Sequence, residues 1–232
     1  TSFDERLKNS DSWDNVSYLL SLNYALNDNA NIYGSYSTGY NGGGFNSRAS
    51  TLSAWENQVD EEEITAYELG IKSDWMDNRV RVNAAIFYND FEDIQVAQFE
   101  AGSGGASSRL VNAGEATYKG LELEVTARVT RGLLLELSYG YLDAEFDEYL
   151  ARNPVTDQEE DISSVTSVGR TPEHTASLGL QYDFQPFSFG ALSARLDVVY
   201  TDEFVFHPFQ NQFDAAEDRT ILNGRVNLQD IA

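Results

Sequence analysis

Cysteine is missing from this 232-residue sequence, which excludes disulfides, thiolate nucleophiles and cysteine-ligated zinc. The two histidines, His174 and His207, stand far apart, and neither has a second ligand at metal spacing, so they read as solvated or interfacial residues. No run approaches ~18 consecutive apolar residues, the length a transmembrane helix needs, and no leader pattern opens the chain. Basic residues are scarce: 15 Lys and Arg face 38 Asp and Glu, a formal charge of -23. Such a surface cannot neutralise phosphates, so nucleic acid is excluded as a partner. Catalytic signatures are lacking too: there is no G-x-S-x-G, no H-E-x-x-H and no phosphate-binding loop. Gly42-Gly43-Gly44 and the glycines between Gly102 and Gly105 fit no phosphate spacing and read as flexible loop tips. No cofactor and no enzymatic activity are expected.

What is present is aromatic and periodic. The chain holds 13 Tyr, 13 Phe and 3 Trp, and 41% of it is hydrophobic, too much for a disordered acidic chain. Apolar residues alternate with period two almost from end to end, the signature of strands. Val16, Tyr18, Leu20, Leu22, Tyr24 and Leu26 share one parity. The same holds for Tyr67, Leu69, Ile71 and Trp75, for Leu121, Leu123, Val125 and Ala127, and for Leu133, Leu135, Leu137 and Tyr139. The pattern predicts about nine strands, the ninth beginning near Thr220.

The connections alternate between short and long. Asn27 to Ala30, Met76 to Arg79, Thr130 to Gly132 and roughly Gln185 to Gly190 are hairpin turns. The long ones run about 41–62, 97–111, 147–168 and 202–218. Loops of this length are uncommon in compact soluble domains, whereas outer-membrane barrels pair short periplasmic turns with long extracellular loops. With 41–62 placed outside, Tyr36, Tyr40, Tyr67, Tyr88, Tyr139, Tyr141 and Tyr200 lie near the outer end of the apolar face. Trp75, Tyr182 and Phe184 lie near its inner end, giving two aromatic girdles. The fold expected is therefore all-β: an antiparallel transmembrane β-barrel segment, a meander that does not close by itself. The alternative pattern is a soluble β-sandwich binding or adhesion module, which also alternates polar and apolar residues.

Five segments add a resemblance. YGSYSTGYNGGGFN from Tyr33, YELGIKSDWMDNRVRVNAAIFYNDFEDIQ from Tyr67, VNAGEATYKGLELE from Val111, LSYGYLDAEF from Leu137 and GRTPEHTASLGLQY from Gly169 follow in order. Together they resemble the C-terminal part of the β-barrel of TonB-dependent outer-membrane receptors, from about Asp14 to Leu228. The resemblance implies uptake of a scarce large nutrient across the outer membrane of a Gram-negative bacterium. Ferric siderophores are the commonest such substrate, with haem, cobalamin and oligosaccharides as alternatives. It also implies a TonB energy-transducing partner acting through an N-terminal plug, and a 22-stranded barrel. No segment resembles that plug, and Ile231-Ala232 ends no aromatic closing strand. Residues 1–232 are thus expected to be a partial barrel domain without plug or closing strands.

Within this frame GLELE has its own physical reading. Gly120 permits close backbone approach, and Glu122 and Glu124 face the lumen with Lys72, Arg81 and Arg128, so a lumenal charge network is expected. Loop aromatics and arginines suit ligand contact through stacking and charge-assisted bonds: Tyr40, Phe45, Arg48, Trp55, Phe99, Arg109, Phe206 and Phe209. Asp143, Glu145 and Asp147, like Asp157, Glu159 and Asp161, mimic the start of a calcium loop. Neither run has the glycine at position six, and Pro154 and Val168 stand where the glutamate at position twelve would be, so an EF-hand is excluded. The loops carry much of the negative charge, a surface suited to divalent-cation bridging to lipopolysaccharide and repellent to a bare anion.

Overall fold

The computed structural model describes residues 10–46, 58–102, 105–153, 156, 158–188, 190–208 and 214–229. Among these described residues sixteen strands run in chain order. The first eight are β1 (Leu19–Asn27), β2 (Ala30–Asn41), β3 (Gly44–Phe45), β4 (Gln58–Val59), β5 (Glu62–Trp75), β6 (Val80–Glu92), β7 (Gln95–Gly102) and β8 (Gly105–Asn112). They are followed by β9 (Gly114–Arg128), β10 (Leu133–Arg152), β11 (Glu159–Asp161), β12 (His174–Asp183), β13 (Ala191–Thr201), β14 (Phe204–Val205), β15 (Ala215–Ala216) and β16 (Arg219–Gln229). Nine of them form one antiparallel path in the order β1-β2-β5-β6-β9-β10-β12-β13-β16. Among the described residues no second sheet packs against this path, so the sandwich alternative finds no support.

The register turns the sequence parity into faces. Leu20 pairs with Tyr36, Tyr36 with Tyr67, and Tyr67 with Tyr88. Lower down, Ala84 pairs with Leu123, Leu123 with Tyr139, and Leu135 with both Ala127 and Leu180. Leu180 continues to Leu196, and Val198 to Leu222. Across all eight pairings the apolar parity of one strand thus meets the apolar parity of the next. A slip of one residue in any pairing would send the next strand's apolar set to the other face.

That apolar face is open: Leu22 is 75% exposed, Leu222 66% and Val226 71%. Contiguous apolar exposure on this scale is covered by a partner phase in stable proteins, and hydrocarbon is the phase whose interfaces select the rings that bound this band. At the upper edge Tyr36 and Tyr67 lie 5.3 Å apart and Tyr67 and Tyr88 6.4 Å. His174 completes this edge, stacked on Tyr139 at 6.0 Å with a 2.9 Å bond between its Nδ1 and the tyrosine hydroxyl. At the lower edge Tyr182 meets Phe184 edge-on at 4.7 Å, and the Trp75 indole donates to Ser73 Oγ at 2.9 Å.

The short turns are as expected. Met76, Asp77 and Asn78 all adopt positive φ, at 55°, 58° and 62°, a left-handed run that suits the twist of a tight hairpin. The long connections differ from expectation, because they contain strands. Segment 97–111 lies within the β7–β8 hairpin, 41–62 contains the β3–β4 pair, 202–218 contains β14–β15, and β10 runs on to Arg152 where β11 joins it. Backbone groups that leave the membrane sheet still need partners, and pairing within each connection supplies them. The buried hydrophobic residues lie in these connections, Val59, Ala113 and Val168, or at the outer ends of β9 and β10 beside them, Ala116 and Tyr149. Gly120 has the role foreseen, since a Cβ there would run into the Tyr141 carbonyl.

Candidate functional site

The polar face, on the opposite parity, is the lumenal wall. Tyr33 donates to Glu68 at 2.6 Å, and Lys72 Nζ lies 5.2 Å from the Tyr33 ring centre. Arg81 pairs with Asp74 at 2.9 Å. Arg195 holds Glu136 at 2.6 Å and Asp197 at 2.8 Å, bridging β10 and β13. Among the described residues no ion pair joins Lys72, Arg81 or Arg128 to Glu122 or Glu124, so the expected charge network is not formed. Lys72 and Arg81 take a ring and an acid that neighbour them more directly, and Glu124 accepts from Asn83 at 3.3 Å instead. Short cross-strand reach favours the directly opposed pair, such as Asp74 and Arg81.

Toward the outer end this wall carries an aromatic pair that loop-based reasoning passed over. Phe91 and Tyr118 pack at 4.9 Å between β6 and β9. Both fall on the charge-bearing parity of their strands, which was the available signal. Burial and then the charge of Glu62 push the Tyr118 hydroxyl up from its ordinary pKa. Trp13 was also missed: it lies edge-on to Phe45 at 6.1 Å. The segment that carries it runs beside β2, where Tyr18 O accepts from Thr38 N at 2.9 Å and Asn15 donates to Glu63 at 2.8 Å.

The candidate ligand residues whose side chains are described, Tyr40, Phe45 and Phe206, are not brought together in one cluster. Phe45 sits on β3 against Trp13. Phe206 follows β14 and meets Phe204 edge-on at 5.2 Å, near a cavity of about 480 Å³ whose lining includes Asp143, Val168, Glu173, Asp202 and Phe204. Three strands of the path, β6, β9 and β10, stand between β5 on the Phe45 side and β12 on the other. Tyr40 pairs with Glu63 and shares the outward face with Tyr36, so it belongs to the girdle side rather than over the lumen. Phe99 and Arg109 lie on β7 and β8, opposite Ser108 and Gln98. Arg48, Trp55 and Phe209 fall outside the described residues.

Apart from Asp157, which lies outside the described residues, the acidic runs are strand residues and turn caps. Asp143 and Glu145 both hold Lys119, at 3.2 and 3.1 Å, just above the girdle. Asp147 accepts from Thr117 at 2.6 Å. Asp161 accepts from the backbone of Tyr149 and Ser163 at 3.0 and 2.9 Å, and these bonds hold its carboxyl below the ordinary aspartate range. Glu115 is held high by desolvation and then by Glu148, Glu92, Asp90 and Asp147. Among the described residues no group of three or more His, Asp or Glu is placed to hold a metal ion.

This geometry agrees with known proteins. The family description "TonB dependent receptor-like, beta-barrel" matches residues 1–229. A probable TonB-dependent siderophore receptor of Acinetobacter baumannii, PiuA, is 28% identical over 226 residues, covering 93% of this chain and 29% of that protein. The metal-pseudopaline receptor CntO of Pseudomonas aeruginosa is 28% identical over 144 residues, 62% of this chain and 18% of its own length. The crystal structure of the ferric yersiniabactin uptake receptor FyuA from Yersinia pestis superposes with a TM-score of 0.71 at 24% identity, covering 91% of this chain and 29% of that one. The chain thus spans about three-tenths of the length of PiuA and FyuA. Proteins of this kind reside in the outer membrane of Gram-negative bacteria, where the apolar band and its two girdles place this chain. By its sequence and its fold, the chain belongs to the family of TonB-dependent receptors, as part of their β-barrel.

Proposed function

We propose that this chain works as one stretch of a larger barrel that takes up a ferric siderophore across the outer membrane. The observation that carries this reading is the coherent division of nine strands into a lipid-side band and a polar lumenal wall. Two further facts support it. The path ends in two unpaired edge strands, β1 and β16, among the described residues, and unpaired edges are a liability that barrels remove by closure. The relatives include a siderophore receptor and a metal-pseudopaline receptor, so a chelated metal ranks ahead of haem, cobalamin or an oligosaccharide. The barrel to which the chain belongs acts as a transport receptor.

In this reading the ligand meets aromatic rings at the mouth. Phe45 with Trp13, Phe91 with Tyr118, and Phe206 with Phe204 offer stacking surfaces for planar chelating groups. Energy arrives from the TonB complex through a plug, and the outward surface meets lipid and lipopolysaccharide. Acids crowd that surface just above the girdle, so divalent cations would bridge it to lipid phosphates. The test is uptake of radioactive iron from ferric tris-catecholate and tris-hydroxamate complexes by a receptor-deficient strain. The intact receptor should restore uptake of at least one complex, and residues 1–232 alone should restore none. Restoration by residues 1–232 alone, or no uptake with the intact receptor, overturns the reading.

A further inference from the structure

The β7–β8 hairpin leaves the barrel at a base with two unusual backbone positions. Asp93 has φ of 54° and Gly114 of 149°, and a Cβ on Gly114 would run into the Glu148 carbonyl. Between them Ile94 and Gly114, then Ala113 and Ile94, close the base with backbone bonds of 3.0 and 2.9 Å. Gln95 and Asn112, the first pair above that base, are opposite each other in register. Their side chains do not serve the hairpin alone; they grip the neighbouring connection.

Gln95 donates from Nε2 to the carbonyls of Asp60 at 3.0 Å and Gly42 at 3.1 Å. Its backbone N–H donates to Glu62 at 3.0 Å. Asn112 takes both backbone polar groups of Asp60: its Oδ1 accepts from Asp60 N at 2.8 Å and its Nδ2 donates to Asp60 O at 3.1 Å. The same Nδ2 also donates to Asp93 O at 2.8 Å, back at the bend. Two amide side chains thus tie the base of one extracellular hairpin to both limbs of another, and Val59, beside the shared point, is buried. The limbs so held continue directly into Phe45 on β3 and Glu62 on β5. Glu62 in turn acts on Tyr118 of the lumenal aromatic pair.

We propose that Gln95 and Asn112 are positioning residues for ligand capture. They lock the β7–β8 hairpin to segments 41–46 and 58–62, so that the two extracellular structures meet the ligand as a single preset surface. Neither residue needs to touch the ligand. The proposal rests on the siderophore-uptake reading for its ligand, though the lock itself does not. Amide side chains suit this task because each carries donors and an acceptor on one short plane, and the bonds, being neutral, do not depend on salt or on pH. Holding a binding surface in its bound shape improves affinity by removing the ordering cost at capture.

The test uses the intact receptor in detergent as wild type, Gln95→Ala, Asn112→Ala and the double variant. Lys119→Ala, on the outward face, serves as control. Hydrogen exchange across residues 58–62 should speed up about tenfold in Asn112→Ala, since the Asp60 amide loses its acceptor. Exchange across β16 should not change in any variant, which shows that the barrel is folded. Titration with ferric tris-catecholate and tris-hydroxamate complexes, followed by tryptophan quenching, should show a Kd raised about tenfold by either alanine. The double variant should be little worse than either, because both side chains hold Asp60. Lys119→Ala should leave Kd within about twofold, as expected of a surface charge away from the mouth. Unchanged exchange at 58–62 overturns the lock. Faster exchange with unchanged Kd overturns the positioning role and leaves a purely structural brace. A wild-type receptor that binds none of these complexes overturns the role together with the functional reading, while the exchange data still decide the lock.

Discussion

Replacing Leu123 with arginine puts a guanidinium at the middle of the apolar band. The register locates that middle. Lys119 lies opposite Tyr88 of the upper girdle, and Ala127 lies opposite Val80, which pairs with Trp75 of the lower girdle. Leu123 is four residues from each. Eight residues at about 3.4 Å span about 27 Å along the strand. At a tilt near 40° this becomes roughly 20 Å of height, close to the ~25 Å apolar band of such barrels. Leu123 therefore sits near the midplane on the β6 side and faces Tyr139 of the upper edge on the β10 side, so an arginine there costs up to about 2–4 kcal/mol, the midplane figure. Leu135, opposite Ala127 and Leu180, is nearer the lower interface and should cost less. Glu122→Gln changes the lumenal wall one residue away and should cost on the order of 1 kcal/mol or less. The assay is urea-driven unfolding of the intact receptor in lipid vesicles, with folded yield read from heat-modifiable gel mobility. The expected order of damage is Leu123→Arg, then Leu135→Arg, then Glu122→Gln. If Leu123→Arg were neutral, or if Glu122→Gln did equal harm, the assignment of faces and the membrane reading would both be wrong.

The Arg195 clamp gives a second test: a double-mutant cycle of Arg195→Gln with Glu136→Gln should show a coupling of about 1 kcal/mol, no more, because both side chains keep partial contact with water. Gly120→Val should lower folded yield severalfold, since a branched side chain cannot coexist with the Tyr141 carbonyl and the Phe87 ring; normal yield would show that the strands can part there. Asp161, held below the ordinary aspartate range in the fold, stabilises above its unfolded pKa and loses that contribution as pH falls through its lower folded value. Protection of the Tyr149 and Ser163 amides, compared between wild type and Asp161→Asn, should differ at neutral pH and converge only as pH falls below the ordinary aspartate range. Glu115 has the opposite sign: its raised carboxyl favours the outer ends of β9 and β10 in acid and loses that effect as pH rises through the folded value. Glu115→Gln should flatten this dependence in exchange measurements on residues 114–118.

Much of the barrel was legible in the chain because a strand's faces follow from parity alone. The set Tyr67, Leu69 and Ile71 could only share a face, and so could Leu121, Leu123 and Val125; the register then matched them without a slip. The turn at Met76 to Arg79 and the close approach at Gly120 were equally local, and so was the placing of Tyr36, Tyr67 and Tyr88 at one edge. What parity cannot state is which residue of a neighbouring strand stands opposite, and how far along. Arg81 therefore appeared able to reach Glu122 or Glu124, yet it is matched to Asp74 across its own hairpin. The long connections hid most, because short pairs such as β3–β4 and β14–β15 are too brief to carry a period. The grip of Gln95 and Asn112 on Asp60 joins residues up to 52 apart in sequence, and Trp13 finds Phe45 only because the strands between them fold back. Face and depth in the membrane are properties of one strand and so were written in its residues. Partners at the mouth depend on register between strands and on the path of the connections, and these only the tertiary structure decided.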